Sequence, residues 1–390
     1  MKIKTLENAN VADKRIMLRV DFNVPLTKNG EVADETRIKE ALPTINYLLA
    51  HRTKKIFLIS HLGRPNGKFD PALTLKPVSL KLEKYLRKPI PLFDLFFLKQ
   101  KKGALPKDSQ VILIENIRFY KGEEENNKEF AKKLASLADI FVNDAFGTAH
   151  RTHASTVGIA DFLPSFAGLL MEKEVKLISR ALERPGRPFV VIIGGAKTPE
   201  KINVIAKFLR KANTLLLGGA IANTFLSTWG LPTGCSQVDY ELQETAKSLF
   251  WQASRSHSAL ILPVDAVVSD AEKKLAPRVV SYNRVKKGMA IFDIGPRTKK
   301  LFARYIKEAK TIIWNGPMGV YEDKRFAQGT DFILRAIALS KGTSIVGGGD
   351  TLSSLSKIPL AKRITHLSTG GGAMLEFLEK GTLPGIEVLS

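Results

Sequence analysis

The sequence predicts an α/β protein made of two doubly wound, Rossmann-like parallel-sheet domains that are joined by a long interdomain helix. Short apolar runs rich in Ile, Val, Leu and Phe alternate with longer segments of helical period, which is the pattern of repeated βαβ units. These runs are continuously apolar, as expected of strands that helices cover on both faces. Residues 167–188 form one amphipathic segment between two such series, and Pro185 and Gly186 end its helical period.

We therefore expect an N-terminal domain over 1–166, a connecting helix over 167–185 and a C-terminal domain over 186–376. A chain of 390 residues is longer than one ordinary core accommodates, which agrees with two or three domains. The predicted strands of the first half are IMLRVD, KIFLIS, VILIEN and DIFVND. Those of the second half are FVVIIG, TLLLGG, ALILPV, AIFDIG, TIIWNG, TSIVGG and RITHLS. The clearest helical periods lie in ETRIKEALPTINYLLAHR and NKEFAKKLASLAD.

The composition is that of a soluble globular protein, with 44% hydrophobic and 25% charged residues. No apolar stretch approaches the roughly 18 residues that span a bilayer, and the first residues lack the apolar core of a signal peptide. The single cysteine, Cys235, excludes an intramolecular disulfide and fits a reducing compartment. We expect a cytoplasmic protein with no membrane partner.

The formal net charge of +22 has two interpretations. A basic surface over an anion-binding cleft attracts acidic metabolites, whereas a basic patch can also bind nucleic acid. Lys and Arg are scattered over both halves, and aromatic residues, at 8%, do not interleave with basic clusters as stacking platforms do. We favour the anion cleft and expect nucleic-acid binding only as a weak, non-specific and salt-sensitive side activity.

Polar and basic residues follow the predicted strands of the first half. Because ligands of doubly wound sheets bind outside the carboxyl ends of the strands, these side chains are expected to converge. Arginine forks suit a compact phosphorylated or carboxylated substrate, and a carboxylate and an amide suit its hydroxyl groups. The residues concerned are Asp21, Asn23, Arg37, His61, Arg64, Arg118 and Arg151.

Glycine clusters follow the predicted strands of the second half, at 194–195, 218–219, 316–319, 347–349 and 370–372. Backbone without Cβ atoms can approach a polyphosphate closely and direct its N–H groups at anionic oxygens. Lys197 and Lys201 lie near a helix start and can reach phosphates, and Glu322 can bond a ribose hydroxyl. Asp350 can hold magnesium on the phosphates. The sequence has no Walker loop, no kinase H-R-D or D-F-G set and no G-x-G-x-x-G that opens a βαβ unit.

Three further features have less specific interpretations. His150 and His153 form an H-x-x-H pair, but no evident third ligand accompanies them, so a metal site is not favoured. Residues 123–125 are three glutamates, which we interpret as a solvated loop and helix start. Cys235 has no recognisable histidine partner and is interpreted as structural.

Over essentially its whole length the chain resembles the phosphoglycerate kinase family. The matching motifs are RVDFNVP (19–25), SHLGRP (60–65), ENIRF (115–119), DAFGTAHR (144–151), GGAK with Lys201 (194–201), GGAIANTFL (218–226), NGPMGVYE (315–322), GGGDT (347–351) and STGGGAMLEFLE (368–379). Two departures are mild: Thr198-Pro199-Glu200 stands where the family commonly has Val-Ser-Asp, and EKGTLPG replaces the usual E-G-K-x-L-P-G. Neither departure removes a lysine of the motif.

The resemblance implies 3-phosphoglycerate in the N-terminal domain, ATP in the C-terminal domain, a Mg²⁺ cofactor, a monomeric state and a tail, 377–390, that returns to the N-terminal domain. The implied 3-phosphoglycerate ligands are Asp21, Phe22, Asn23, Arg37, His61, Leu62, Gly63, Arg64, Arg118 and Arg151. The implied nucleotide ligands are Gly195, Lys201, Gly219, Asn315, Pro317, Glu322, Gly348, Gly349, Asp350 and Thr351, with Asp350 at the metal. The implied catalytic groups are Arg37, Lys197 and the backbone of Gly371 and Gly372.

The implied reaction is reversible phosphoryl transfer between MgATP and the carboxylate of 3-phosphoglycerate in glycolysis or gluconeogenesis. A carboxylate with a pKa near 4 is already ionised at neutral pH, so the reaction needs no general base. Catalysis then consists of positioning and charge stabilisation, and domains that hold separate substrates are expected to close on a hinge. The alternatives are another small-acid kinase, acting on acetate or aspartate, and a basic nucleic-acid-binding protein.

Overall fold

A computed structural model describes residues 3–95, 108–196, 199–348 and 359–390. By its internal contacts the chain divides into two compact units. Unit 1 contains Met1–Lys176 and Thr382–Ser390, and unit 2 contains Leu177–Gly381. The division falls inside a helix, Leu169–Glu183, that covers most of the predicted connecting segment.

Unit 1 is built on a six-stranded sheet with strand order β3-β4-β2-β1-β5-β6, in which every pairing is parallel. Its strands are β1 Arg15–Arg19, β2 Lys55–Ile59, β3 Leu92–Phe93, β4 Val111–Ile114, β5 Ile140–Asn143 and β6 Ser165–Ala167. The four predicted strands are confirmed. Strands β2, β3 and β4 lie on one side of β1, and strands β5 and β6 lie on the other side. The topological switch point of the sheet is therefore between β1 and β5.

Both faces of this sheet are buried. Ile16 and Leu18 of β1 pack into one core cluster, whereas Met17, between them, packs into a second cluster on the opposite face. Successive side chains of a strand point to opposite faces, so a strand covered on both sides has to be apolar throughout. The covering helices are α1 Thr36–Ala50, α2 Lys76–Leu86, α3 Lys121–Glu124, α4 Lys128–Ala135 and α5 Leu169–Glu183.

Unit 2 contains a second six-stranded parallel sheet, with strand order β15-β14-β13-β7-β8-β9. Its switch point lies between β7 and β13. The strands are β7 Phe189–Ile193, β8 Thr214–Leu217, β9 Ala259–Ile261, β13 Thr311–Asn315, β14 Thr343–Gly347 and β15 His366–Ser368. The helices are α6 Pro199–Phe208, α7 Gly219–Ser227, α8 Gln243–Ser254, α9 Pro296–Glu308, α10 Gln328–Leu339 and α11 Gly371–Lys380.

One predicted strand of unit 2 belongs to a different sheet. The segment AIFDIG forms most of β12, Met289–Ile294, but β12 pairs antiparallel with β10, Asp265–Asp270. A third strand, β11 Arg278–Ser281, also pairs antiparallel with β10. A parallel connection needs a crossover of a dozen or more residues, and residues 271–277 before β11 and 282–288 after it are too few for one. The expectation of a parallel partner for this segment was therefore wrong.

Residues 382–390 pack within unit 1. They form a short helix, α12 Pro384–Glu387, and Gly385 N donates to Ala149 O at 2.8 Å. Lys4 N donates to Leu389 O at 2.7 Å. A Cβ at Gly385 would lie 3.0 Å from Ala149 Cα, so glycine allows this close approach. Among the described residues, no helix is long and apolar enough to span a bilayer.

Candidate active site

The first site in unit 1 forms where β1 ends and α1 begins. Arg37 is the second residue of α1, and its Nη1 donates to Asp21 Oδ1 at 2.9 Å and to Asn23 O at 3.1 Å. Asp21 and Asn23 follow β1 directly, because the chain leaves the sheet there. The structure thus brings together three of the residues that the sequence singled out, and fixes the guanidinium on a helix.

The turn after β2 is held from two sides. Asn23 Oδ1 accepts from Gly63 N at 3.0 Å, and Arg118 Nη1 donates to Gly63 O at 2.8 Å. Asn116 Nδ2 donates to Leu62 O at 2.7 Å. Sequence reasoning did not single out Asn116, although its position after β4 places it at the ligand-binding edge of the sheet. These bonds place the predicted Leu62–Gly63 backbone next to Asn23.

His61 lies in the interior of this cluster, with 2% of its surface exposed. Its Nδ1 is 3.3 Å from Arg19 Nη2. Burial holds the pKa of His61 well below its usual value, and the charges of Arg19, Arg151 and Arg37 lower that pKa further. The imidazole is therefore neutral at physiological pH. It offers a hydrogen bond rather than a positive charge.

Arg19 is the basic residue that sequence reasoning missed. It is the last residue of β1, is 1% exposed, and donates through Nη1 to Ile59 O at 3.3 Å. Burial lowers its pKa, whereas the charges of Glu123 and Asp21 raise it. The sequence could have indicated this residue. An arginine at the end of a fully buried strand needs anionic or hydrogen-bonding partners, which are found at a binding site.

The guanidinium groups of two predicted arginines, Arg118 and Arg151, are buried or partly buried. Arg118 is 2% exposed, its Nε lies 3.2 Å from Glu124 Oε1, and its Nη2 is buried with no hydrogen-bond partner among the residues that the structure describes. Burial lowers the pKa of Arg151, and the nearby charge of Arg64 lowers it further. A guanidinium whose pKa is lowered by burial and by a neighbouring cation is stabilised by an anionic ligand.

The interpretation of residues 123–125 as a solvated loop and helix start was wrong for Glu123. Its carboxylate is completely buried and accepts from Ser155 N at 2.9 Å and from Ser155 Oγ at 2.6 Å. His153 Nδ1 lies 3.7 Å from it. Glu124 and Glu125 are exposed, as expected of a solvated loop. No group of three or more His, Cys, Asp or Glu side chains suited to a metal ion occurs in the described parts of the chain.

The second site lies in unit 2, at the switch point between β7 and β13. Gly195 N donates to Pro317 O at 2.6 Å, and Gly219 N donates to Met318 O at 3.1 Å. Gly219 has φ +61°, and a Cβ there would lie 2.5 Å from Gly195 N. The turns after three strands therefore touch through their backbones, which only glycine permits.

A cavity of about 420 Å³ opens beside these turns. Four predicted nucleotide ligands line it, namely Gly195, Gly219, Pro317 and Glu322. Cys235 also lines it and is exposed, and its Sγ donates to Lys287 O at 2.8 Å.

Lys201 and Asn315 lie at the edge of the same turns. Lys201 is 8% exposed, and its Nζ donates to Gly194 O at 2.7 Å and to Ala196 O at 2.9 Å. Asn315 ends β13, and its Nδ2 donates to Gly371 O at 3.5 Å.

Gly371 and Gly372 begin α11, where backbone N–H groups and the helix dipole favour an anion. Gly348 is the last described residue of its glycine cluster. Four predicted residues, Lys197, Gly349, Asp350 and Thr351, lie outside the described residues.

Each unit is built on a six-stranded parallel sheet. One unit has an arginine-rich site and the other has a glycine-lined cavity, and together these features define a small-molecule kinase of the α/β class. The family model described as phosphoglycerate kinase matches residues 6–381. This chain belongs to the phosphoglycerate kinase family, which confirms the resemblance inferred from its motifs.

Individual relatives agree over the full length. A phosphoglycerate kinase of Pseudothermotoga lettingae is 46% identical over 402 residues, with 100% of this chain and 99% of the relative covered. One of Dictyoglomus turgidum is 48% identical over 391 residues, with 99% and 98% covered. The solved phosphoglycerate kinase of Coxiella burnetii has a TM-score of 0.87 at 43% identity, with 100% and 99% covered. That of Pyrococcus horikoshii has a TM-score of 0.86 at 32% identity, with 99% and 98% covered.

Proposed function

We propose that this protein catalyses reversible phosphoryl transfer between MgATP and the carboxylate of 3-phosphoglycerate, giving 1,3-bisphosphoglycerate and MgADP in glycolysis or gluconeogenesis. The observation that carries the proposal is the buried arginine cluster of unit 1, in which Arg118 Nη2 has no hydrogen-bond partner within the described chain. A site of this kind is completed by an anion that accepts from several guanidinium groups.

In this proposal the acid binds in unit 1. Arg64, Arg118 and Arg151 hold its phosphate, and Asp21 and Asn23 position its hydroxyl group, with the backbone at 62–63 alongside. Phe22 is fully buried and packs in the core behind the site. His61 serves as a neutral hydrogen-bonding group, in keeping with its lowered pKa. The arrangement suits a small acid that carries both a phosphate and a carboxylate, because guanidinium groups pair with both kinds of oxyanion.

The nucleotide binds in unit 2. Its phosphates lie along the glycine turns and Lys201, and its ribose contacts Glu322, with Pro317 and Asn315 nearby. Added Cβ atoms at 195 and 219 would lie within 3.0 Å of neighbouring atoms, so the described backbone forms the close cradle that a polyphosphate needs. The proposal extends this cradle to Gly348, Gly349 and Thr351.

Magnesium accompanies the nucleotide in this proposal, with Asp350 as its carboxylate ligand. Magnesium prefers oxygen ligands and is commonly held by one or two carboxylates together with substrate phosphates. Asp350 itself lies outside the described residues, so its assignment rests on the resemblance of the GGGDT motif to the family. When bound, the ion neutralises phosphate charge.

The chain's own contribution to the chemical step is electrostatic. Arg37 and Lys197 flank the phosphoryl group, and the N–H groups of Gly371 and Gly372 stabilise its oxygens. Arg37 is held ready by Asp21, so its charge needs little reorganisation during the reaction. No side chain has to remove a proton, since the acceptor carboxylate is ionised at neutral pH.

A coupled assay tests the proposal. The purified protein is mixed with MgATP and 3-phosphoglycerate, and the acyl phosphate is reduced enzymatically with a chromogenic cofactor. We expect turnover with 3-phosphoglycerate and none with acetate or aspartate. Comparable ADP formation with either of those acids would favour the alternative small-acid kinase.

We infer further that the enzyme is cytoplasmic and monomeric, and that its basic surface binds nucleic acid only weakly. Sedimentation gives the oligomeric state, and DNA titration at 50 and 200 mM salt gives the salt dependence. Tight binding that persists at the higher salt concentration would contradict the weak, non-specific association proposed here.

A further inference from the structure

A second cavity of unit 2 lies at the end of α6, beside α8. Its volume is about 530 Å³, within the range of roughly 300–1,000 Å³ that is typical of small-molecule pockets. We call it the α6–α8 groove, and its lining residues are Ala206, Lys207, Arg210, Lys211, Leu249 and Gln252. Three of them are basic, and no acidic side chain of the described chain lines the groove. The proposed reaction uses none of these residues.

The positive charges of the groove are not balanced by acidic side chains. Among the described residues, Lys207, Arg210 and Lys211 form no ion pair. Burial lowers the pKa of Lys207, and the charge of Lys211 lowers it further. Glu379 opposes this shift by its charge, but its Oε1 already accepts from Asn203 Nδ2 at 2.8 Å. The groove therefore concentrates like charges, and an anionic ligand would relieve their repulsion.

Backbone hydrogen bonds set the spacing of the three cations. Arg210 N donates to Lys207 O at 3.3 Å, and Lys211 N donates to Phe208 O at 3.0 Å, so the turn continues beyond the end of α6. Side chains three and four positions apart on such a turn are neighbours, with Cβ atoms about 5–6 Å apart. Lys207 Nζ is also fixed, because it donates to Glu379 O at 2.7 Å. Three cations spread along one turn suit an elongated anion, whereas the converging guanidinium groups of unit 1 suit a compact one.

We propose that the α6–α8 groove binds a linear polyphosphate chain. Arg210 pairs with one phosphate through its planar fork, and Lys207 and Lys211 neutralise neighbouring phosphates as point charges. Gln252 donates to Ser248 Oγ at 3.4 Å and keeps its second amide N–H for the ligand. The inference goes beyond the proposed function, since neither substrate is assigned to these residues. Two sources supply this chemistry, namely inorganic polyphosphate and the phosphates of a nucleoside triphosphate.

Titration calorimetry with tripolyphosphate tests the inference on the full-length protein. Saturating ADP and 3-phosphoglycerate fill the proposed substrate sites, and magnesium is left out so that the chain is not chelated. We expect one equivalent of tripolyphosphate to bind the wild type, and inorganic phosphate to bind at least about tenfold more weakly. The triple variant Lys207→Ala, Arg210→Ala, Lys211→Ala should bind tripolyphosphate about thirtyfold more weakly, as loss of three partly exposed charge pairs allows.

A second triple variant, Lys300→Ala, Arg304→Ala, Lys307→Ala, is the matched control. These three residues are exposed on α9, and Lys307 lies in the last turn of its helix, as Lys207 does in α6. The control removes the same net charge and should change the affinity by less than about threefold. Equal losses in both variants would show attraction by net charge alone and overturn the inference.

Turnover with 3-phosphoglycerate separates this inference from the proposed function. The groove variant keeps every residue assigned to the two substrates, so its kcat should equal that of the wild type, which also shows that it is folded. The wild type alone decides the question if the variant does not fold. Absence of tripolyphosphate binding, or equally tight binding of inorganic phosphate, overturns the inference and leaves the proposed function intact.

Titration of ATP without other ligands distinguishes the two sources. Two equivalents in the wild type and one in the groove variant would assign the groove to a nucleoside triphosphate. One equivalent in both proteins, with tripolyphosphate still bound by the wild type, would assign it to inorganic polyphosphate. An oligothymidylate that binds the groove more tightly than tripolyphosphate does would assign it to nucleic acid and overturn the inference.

Discussion

The buried carboxylate of Glu123 accepts two hydrogen bonds from Ser155, one from its backbone N–H at 2.9 Å and one from its hydroxyl at 2.6 Å. Glu123 O also accepts from Ala154 N at 3.0 Å. Thr156 Oγ1, one residue further, donates to Arg151 O at 2.8 Å. The loop that carries Arg151 is therefore anchored by a charge from another part of unit 1.

Glu123→Gln should loosen this loop without removing an arginine. The amide keeps the shape of the side chain but replaces one charged acceptor with a donor, so the bonds to Ser155 weaken. We expect the KM for 3-phosphoglycerate to rise about tenfold, with the KM for ATP unchanged. Steady-state kinetics measure both, and the exposed Glu125→Gln is the matched control. Equal increases in both KM values would indicate general destabilisation and contradict a positioning role.

Arg37→Ala should lower kcat by about 10²–10³, as loss of one charged donor in the transition state does, and change the KM for ATP far less. The reason is that Arg37 is fixed against Asp21 at the end of β1, in unit 1 rather than in the nucleotide cavity. Lys39→Ala is the control, because Lys39 lies on the same helix with its side chain 57% exposed. An unchanged kcat with an altered KM for ATP would refute this role.

Asp144 should make unit 1 less stable as pH rises. Burial raises its pKa to about 7, although its carboxylate accepts from Leu170 N at 2.9 Å and Met171 N at 3.2 Å. Since this folded pKa lies above the unfolded value near 3.8, its stabilising contribution is complete below about pH 4 and lost by about pH 7. The loss is on the order of a few kcal/mol.

Asp144→Asn copies the neutral acid and should remove this pH dependence. Its thermal midpoint at pH 8 should exceed that of the wild type by about 5 °C, with little difference at pH 4. Differential scanning at both pH values measures this change. Asp139→Asn is a control of opposite sign, because a hydrogen bond from Arg15 lowers the pKa of Asp139. A wild-type advantage at pH 8 would show that the ionised carboxylate is the favoured state.

Gly219→Ala should abolish nucleotide binding. The new Cβ would lie 2.5 Å from Gly195 N, and the residue would also have to keep φ +61°. Gly230→Ala isolates the second effect, because Gly230 has φ +69° and nothing within 4 Å of its Cβ position. That control should lose about 1 kcal/mol of stability and bind ADP normally. Calorimetry with ADP compares the two variants, and normal binding by Gly219→Ala would exclude close contact of the turns.

The sequence predicted the central strands and most residues of the site because both signals are local. A continuous apolar run such as that of β7 indicates a strand covered on both faces, and a polar residue after it indicates the ligand edge. The two-residue strand β3 carries too few side chains for a pattern. The antiparallel pairing of β10 with β11 and β12 depends on connections that an apolar run alone does not report.

The states of individual side chains were harder to predict. Glu123 was expected in solvent because it begins an acidic run, but its partner Ser155 lies 32 residues away in sequence. The charge state of His61 was not predictable, because its pKa depends on burial and on three arginines from other segments. Arg19 was not singled out, because its contacts with Ile59 O and His61 Nδ1 join segments 40 and 42 residues apart in sequence. Long-range contacts decide all three cases.

The packing of residues 382–390 against Ala149 and Lys4 has a consequence for biosynthesis. A ribosome makes a chain from its amino end, and domains commonly fold as they emerge. Unit 1 cannot be completed before unit 2, because its residues Thr382–Ser390 are translated after every residue of unit 2. A truncated chain that ends before residue 382 would therefore lack part of unit 1, even though Met1–Lys176 of that unit are already present.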